Sequence, residues 1–180
     1  MNLADIRLET ERLILRPIQR EDFDAWADFM GDAESARFFG GAQSRPIAWR
    51  GFLTMAGAWT IQGYSMFSVI EKASGRWIGR IGPWVPEGWP GTEVGWGLAR
   101  EATGKGYATE AAEASIDWAF ANLGWSDVIH CIDPDNVNSA QVATRLGSRK
   151  LRQGSMPLPS GDMSCDIWGQ SREAWFARRR

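Results

Sequence analysis

The sequence predicts a mixed α/β fold, and three observations carry that reading. Its hydrophobic period switches repeatedly between strict alternation, as in a half-buried strand, and the three-to-four-residue spacing of an amphipathic helix. Three strand-like runs follow one another between residues 64 and 99, an order that favours an antiparallel meander. A chain of 180 residues, 44% hydrophobic and 23% charged, can bury one sizeable core and leaves little room for a second, so residues 1–180 are read as one domain.

The elements follow in order. "ERLILRPI" (11–18) alternates, with Leu13 and Leu15 on one face, and predicts a strand. "REDFDAWADFMGD" sets Phe23, Trp26, Phe29 and Met30 at helical spacing, opens on acids and reaches a stop at Gly31. Residues 32–44 are turn-rich around Gly40 and Gly41, and 46–62 predict a helix weakened by Gly51 and Gly57. Strands at 64–71, 76–84 and 92–99 are divided by "KASG" and "PEGWPG". From Gly106 to Leu123 a helix turns Ala108, Ala111, Ser115, Ile116, Ala119, Phe120 and Leu123 inward and Glu110, Glu113 and Asp117 outward, with Gly124 at its left-handed cap. "SDVIHCI" (126–132) predicts a strand and "NSAQVATRLG" (138–147) a short helix ended by glycine. "RKLRQGSM" and "MSCDIWGQ" give two closing strands, and "AWFARRR" a helix end with solvated arginines.

Charge and composition narrow the function. A formal net charge of -2 and a pI near 5.5 supply no broad basic field, so no direct nucleic-acid partner is expected. "MNLADIRLET" lacks a basic start followed by an apolar run, and no stretch approaches the ~18 apolar residues of a membrane span; a cytoplasmic protein without membrane contact is expected. Cys131 and Cys165 sit in apolar, strand-like contexts that favour buried thiols over a disulfide, and with His130 the sole histidine no metal site is expected.

The chemistry concentrates at "GKGYATEA" (104–111), where two glycines flank a lysine just before a helix. The first N–H groups of a helix lack intrahelical partners and carry the positive end of its dipole, so this is a seat for an anion that glycine lets approach closely. A Walker A loop is excluded because Ala99 stands where its first glycine belongs and Gly106 where its Ser or Thr belongs. A dinucleotide fingerprint fails as well, since Arg100 and Thr109 occupy the third-glycine positions of "GWGLAR" and "GKGYAT".

Thr103-Gly104-Lys105-Gly106-Tyr107-Ala108 does resemble the acyl-coenzyme A loop, Q/R-x-x-G-x-G/A, of the GNAT superfamily of N-acetyltransferases. "LETERLILRPIQREDFDAW" resembles the family's opening strand and helix, "EVGWGLAREATGKGYATEAAEASIDWAF" its cofactor half, and "DPDNVNSAQVATRLGS" its later strand-to-helix segment. Together they look most like the Rim-type ribosomal-protein N-acetyltransferases. Thr103 replaces the usual glutamine or arginine, and Ser148 stands where that branch commonly has an aromatic.

The resemblance implies a mostly antiparallel central sheet of six to seven strands flanked by helices, and transfer from acetyl-coenzyme A to a primary amine in a ternary complex. The amine would belong to a protein N-terminus or a small molecule, and the protein would be a monomer or homodimer. The loop would hold the pyrophosphate, with Thr109 adding a hydroxyl and Lys105 a charge. The pantetheine arm would run beside the backbone of Leu98, Ala99 and Arg100, and a backbone N–H near Leu98 would hold the thioester carbonyl, helped by a bulge at Gly95 and Gly97. Glu93 is the candidate base, against a reading as a plain surface carboxylate. The family's tyrosine position corresponds to Ala143; the Rim-type branch has a serine of Asn-x-x-Ser near the sulfur, so the resemblance implies Ser139 of Asn136-Val137-Asn138-Ser139 as candidate acid, with Asn136 on the pantetheine or the splayed strand end. Ser139 also fits a helix cap, and Arg145 either an adenosine-phosphate contact or an exposed helix arginine. The acceptor would meet Phe38, Phe39, Gly40, Trp59, Trp84 and Trp89. A non-catalytic acyl-coenzyme A-binding or regulatory module on the same fold is the competing class, motivated by Thr103 and the missing tyrosine.

Overall fold

A two-residue strand, β1 (Leu8–Glu9), precedes β2 (Leu13–Arg16), where Leu13 and Leu15 are fully buried, as their alternation requires. The computed structural model describes residues 3–158 and 161–179. Two helices packed on each other follow, α1 (Phe23–Gly31) and α2 (Arg45–Ile61). The strands β3 (Phe67–Glu71), β4 (Trp77–Pro83) and β5 (Val94–Leu98) form the expected meander. Helix α3 (Tyr107–Asn122), strand β6 (Asp127–Ile132) and helix α4 (Val137–Arg145) lead to a long hairpin, β7 (Arg149–Leu158) with β8 (Gly161–Ser171), and a closing helix, α5 (Arg172–Ala177).

The strands pair as β1-β2-β3-β4-β5 and as β6-β8-β7, antiparallel throughout. Eight strands are thus present among the described residues, the short β1 being one that the pattern does not announce. Between the two sheets a parallel bridge joins Glu93 to Ile129, with the Ile129 N–H donating to the Thr92 carbonyl at 2.9 Å. Beyond it side chains replace the ladder. His130 donates from Nδ1 to the Val94 carbonyl at 2.7 Å, and its ring packs 4.7 Å from that of Trp96. These rings hold β5 and β6 apart and leave β5 as an open edge.

Both faces of the five-stranded sheet are covered, which is why every residue of β4 is buried. On one face α3 sets Ala111, Ala112, Ile116, Ala119 and Phe120 against Leu13, Leu15, Phe67, Ile81 and Val94. On the other, α1 and α2 contribute Phe23, Trp26, Phe29, Phe52 and Met55, which cluster with Met66 and Trp77. The acids of α3 that periodicity places outward are docking points. Glu110 accepts from Arg12 and Thr10, and Asp117 accepts from the Trp175 indole and from Arg179. Arg178 and Arg179 are correspondingly ion-paired, with Glu113 and Asp117, and not simply solvated; Arg180 lies outside the described residues. Cys131 and Cys165 are free thiols. Among the described residues no helix is long and apolar enough to cross a membrane.

Candidate active site

The loop 103–106 turns on two glycines with positive φ, 74° at Gly104 and 83° at Gly106, the latter being the left-handed residue from which α3 starts. Successive N–H groups in such a turn converge into an anion-binding concavity at the positive end of the helix dipole. Arg12 clamps it from the turn just before β2: its guanidinium pairs with Glu110, lies 4.4 Å above the Tyr107 ring and donates to the Lys105 carbonyl at 3.0 Å. Sequence reasoning missed Arg12; its one signal was an acid, Glu110, in the first turn of α3. The Tyr107 hydroxyl donates to Glu71 at 2.6 Å, so that side chain anchors the loop to β3. The Lys105 side chain is exposed and lines neither cavity described below.

From the loop a cleft of about 450 Å³ runs along β5 to α4, lined by Leu98, Arg100, Gly104, Gly106, Ala108 and Thr109 and, across from them, Asn136, Ser139 and Arg145. Register decides which backbone groups of β5 face it. The Ala99 N–H donates to the Ile78 carbonyl at 2.9 Å and the Ala99 carbonyl accepts from Ala102, so Ala99, expected to contact a ligand arm, is occupied within the sheet. Antiparallel alternation then turns the N–H and C=O of Leu98 away from β4, toward the open edge. The Arg100 carbonyl is taken by Thr103, and the exposed Arg100 side chain pairs with Asp32. No bulge interrupts β5. Pairing with β4 is continuous from Val94 to Leu98, and Gly95 and Gly97 instead admit neighbours: an added Cβ would meet Met66 at 2.8 Å and Phe39 at 2.9 Å.

The two expectations for Ser139 separate cleanly. Helix α4 starts at Val137, not 138, because Asn136 is its cap: the Asn136 side-chain oxygen accepts the Ser139 N–H at 3.1 Å. Ser139 is therefore not a cap. Its Oγ accepts from the Trp96 indole N–H at 3.1 Å, which leaves its own O–H free to donate. Ala143 is fully buried and lines neither cavity.

At the bridge end of β5, Glu93 is 5% exposed and not a surface carboxylate. One oxygen accepts from the Cys131 N–H at 2.9 Å and the other from the Trp89 indole. Loss of solvent outweighs these bonds and pushes its carboxyl up to about 7. Glu93 borders a partly open cavity of about 170 Å³ with Phe38, Phe39, Trp84, Trp89 and Ser139. This cavity and the cleft share Phe38, Phe39, Trp96, Asn136 and Ser139, so they meet at Ser139. Trp59, expected here, is a correction: at 2% exposure it sits in the core against Phe67 and Trp118, its N–H on the Met66 carbonyl. Gly40, at φ 91°, shapes the turn after Phe39 and lines neither cavity.

Two further residues escaped sequence reasoning. His130 is 1% exposed and held neutral by burial, which lowers it to about 4; its Nε2 accepts from the Ser148 hydroxyl, which in turn accepts from Gln170. The serine at 148 thus completes a buried polar chain that an aromatic there would break. Arg80, from the middle of β4, enters the cavity as a buried cation.

The profile of the Acetyltransferase (GNAT) domain matches residues 12–149. Over 146 residues, 79% of this chain and 82% of the relative, the sequence is 29% identical to the uncharacterized N-acetyltransferase p20 of Bacillus licheniformis. A crystal structure of an acetyltransferase from Agrobacterium tumefaciens superposes with a TM-score of 0.78 at 31% identity, covering 96% of this chain and 98% of that one. The ribosomal-protein-S5-alanine acetyltransferase of Vibrio fischeri shares the fold at 21% identity, with a TM-score of 0.71 over 95% of this chain and 99% of that one.

Proposed function

The chain belongs to the GNAT acetyltransferase family, and from that premise we propose that it moves an acetyl group from acetyl-coenzyme A directly to a primary amine in a ternary complex. One observation carries the reading: the glycine nest, the unpaired edge of β5 and the buried Glu93 open on joined cavities that meet at Ser139. The nest from Gly104 to Thr109 suits a pyrophosphate, and the outward N–H and C=O of Leu98 suit an amide-bearing arm. Arg145 borders the same cleft and suits the adenosine phosphates. Bound there, the thioester supplies an acyl group with a thiolate leaving group. Glu93, with a carboxyl near 7, takes the ammonium proton directly or through one water; the neutral amine bonds to the thioester carbon while the Leu98 N–H steadies the carbonyl oxygen, and as the C–S bond breaks the Ser139 hydroxyl gives its proton to the departing sulfur and regains one from the newly bonded nitrogen.

The test is thiol release from acetyl-coenzyme A over a panel of peptides, polyamines and aminoglycosides. Release above the acceptor-free rate is expected with a primary amine, and a fully inert panel together with intact acetyl-coenzyme A binding favours the non-catalytic module. Binding has its own readout. Acetyl-coenzyme A at 100 times its Kd is expected to stabilise the protein by ~2.7 kcal/mol in thermal unfolding; no shift, and no heat in calorimetry, would remove the donor assignment.

Gly106→Val tests the nest. A β-branched residue at φ 83° is strained, and its Cβ would press on the Arg12 guanidinium at 3.4 Å. Acetyl-coenzyme A affinity is expected to fall about tenfold, since the free loop relaxes out of the left-handed turn and binding must restore it at a cost of roughly 1–2 kcal/mol. Unchanged affinity in calorimetry would place the pyrophosphate elsewhere.

A further inference from the structure

Arg80 is a buried cation bordering the acceptor cavity that the proposed transfer leaves without a task. It is 8% exposed, and burial pulls its guanidinium down to about 10. Its plane is well covered, with the Phe39 ring 4.8 Å and the Trp26 ring 5.3 Å from the guanidinium carbon. The in-plane donors are not. Nη1 reaches the Met66 thioether, a weak acceptor, and Nε is buried with no partner. Among the described residues no carboxylate lies within ion-pair distance of Arg80. Ring faces attract the charge but accept no N–H in the guanidinium plane, so the fork that matches a carboxylate stays open. A buried cation with unfilled donors is costly unless an anion joins it.

In the β4–β5 register Arg80 stands opposite Gly97, which lies four residues along β5 from Glu93, a spacing of about 13 Å at roughly 3.3 Å per residue. Both side chains border the same cavity, and Gly95 puts no side chain between them. The cavity therefore carries an anion that suits an ammonium at one end and a cation that suits a carboxylate at the other. Trp84, Trp89, Met156, Leu158 and Met163 complete an apolar wall. Its volume, about 170 Å³, is small: an engineered apolar cavity of about 150 Å³ holds one benzene. Only a small acceptor lies wholly inside, and a peptide N-terminus brings a neutral amide to the place where Arg80 offers charge.

Resting on the acetyltransferase reading, we propose that the acceptor is a free amino carboxylic acid with a small apolar side chain, its carboxylate held by the Arg80 fork and its amine turned to Glu93. Arg80 is then the residue that selects a free amino acid over a peptide N-terminus or a simple amine.

The experiment uses L-valine, L-valinamide and isobutylamine, which share a small branched side chain and differ in carrying a carboxylate, an amide or neither. Each is titrated calorimetrically at pH 7 onto protein saturated with coenzyme A, and thiol release from acetyl-coenzyme A is measured with the same three. Valine is expected to bind at least about tenfold tighter than either analogue, as befits a charge-assisted bidentate pair. Arg80→Met should abolish that preference while changing the valinamide affinity less than about twofold, and Arg80→Lys, which keeps the charge if the methionine variant misfolds, should retain the order valine over valinamide. Equal or tighter binding of valinamide or isobutylamine to the native protein, failure of all three to bind, or a preference that survives Arg80→Met overturns the assignment. Thiol release from the analogues without a valine preference sinks this proposal and leaves acetyl transfer standing; a valine preference without thiol release leaves Arg80 as a carboxylate site but overturns valine as the acetyl acceptor.

Discussion

Glu93→Gln is expected to lower turnover by roughly 10²- to 10³-fold, the range of a positioned general base, while the Kd for acetyl-coenzyme A changes less than about twofold. Glutamine keeps the size and one acceptor for the Cys131 N–H or the Trp89 indole, but it cannot take a proton. The native enzyme's kcat/KM should rise with pH through about 7, where burial places the Glu93 carboxyl, and the glutamine variant should lose that limb. Stability gives an independent reading of the same proton. Between the ordinary carboxyl value of 4.5 and about 7 the folded chain holds a proton that the unfolded chain has lost, so the contribution of Glu93 to stability is full below 4.5 and declines as pH rises through 7. The neutral variant lacks that decline. Melting temperatures measured from pH 4.5 to 8 should therefore converge on, or cross, those of the variant as pH rises. An unchanged pH–rate profile in the variant would assign the proton to water alone.

How Glu93 comes to be buried shows where sequence reasoning ends. The motif order places it on the strand before the loop, and alternation fixes the strand. Neither says that Trp89, from the loop between β4 and β5, folds back to cap its second oxygen. The same limit explains Trp59, which lies in a helix expected to flank the acceptor: its spacing is equally compatible with the core, and the rings of Phe67 and Trp118 decide the matter. Glycine was misread at 95 and 97 because a missing side chain can signal either a backbone irregularity or a close neighbour; Met66 and Phe39 arrive from distant sequence and only the fold brings them there. At Gly104 and Gly106 the turn is legible because its cause is local: a helix start, two residues free to take positive φ, and nothing further along the chain to consult. Arg80 left no such trace. Within "GRWIGRIGP" it reads as the polar side of an alternating strand, and only coverage of both sheet faces buries it.

Ser139→Ala carries the second large effect, an expected fall in turnover of roughly 10²-fold, the lower end for general acid catalysis. Its interpretation is sharpened by the cap at Asn136. Since the Asn136 side chain holds the Ser139 backbone N–H, alanine at 139 leaves the start of α4 intact, and the only bond it removes is the one from the Trp96 indole. That lost bond is worth about 1 kcal/mol in stability, against roughly 2.7 kcal/mol of transition-state stabilisation for a 10²-fold rate loss. Asn136→Ala is the complementary change. It removes the cap, costs about 1 kcal/mol in unfolding and leaves the Ser139 hydroxyl in the chain to donate. The pair of variants therefore splits melting temperature from turnover: if the hydroxyl protonates the thiolate, Ser139→Ala loses far more rate than Asn136→Ala at similar stability. The indole supports the assignment because it consumes an oxygen lone pair and orients the serine proton away from Trp96, toward the junction of the two cavities. Ser139→Cys, which restores a weaker donor of lower pKa at the same atom, should recover part of the rate. Turnover in Ser139→Ala equal to that of Asn136→Ala would leave the leaving sulfur to water and reduce Ser139 to the partner of Trp96.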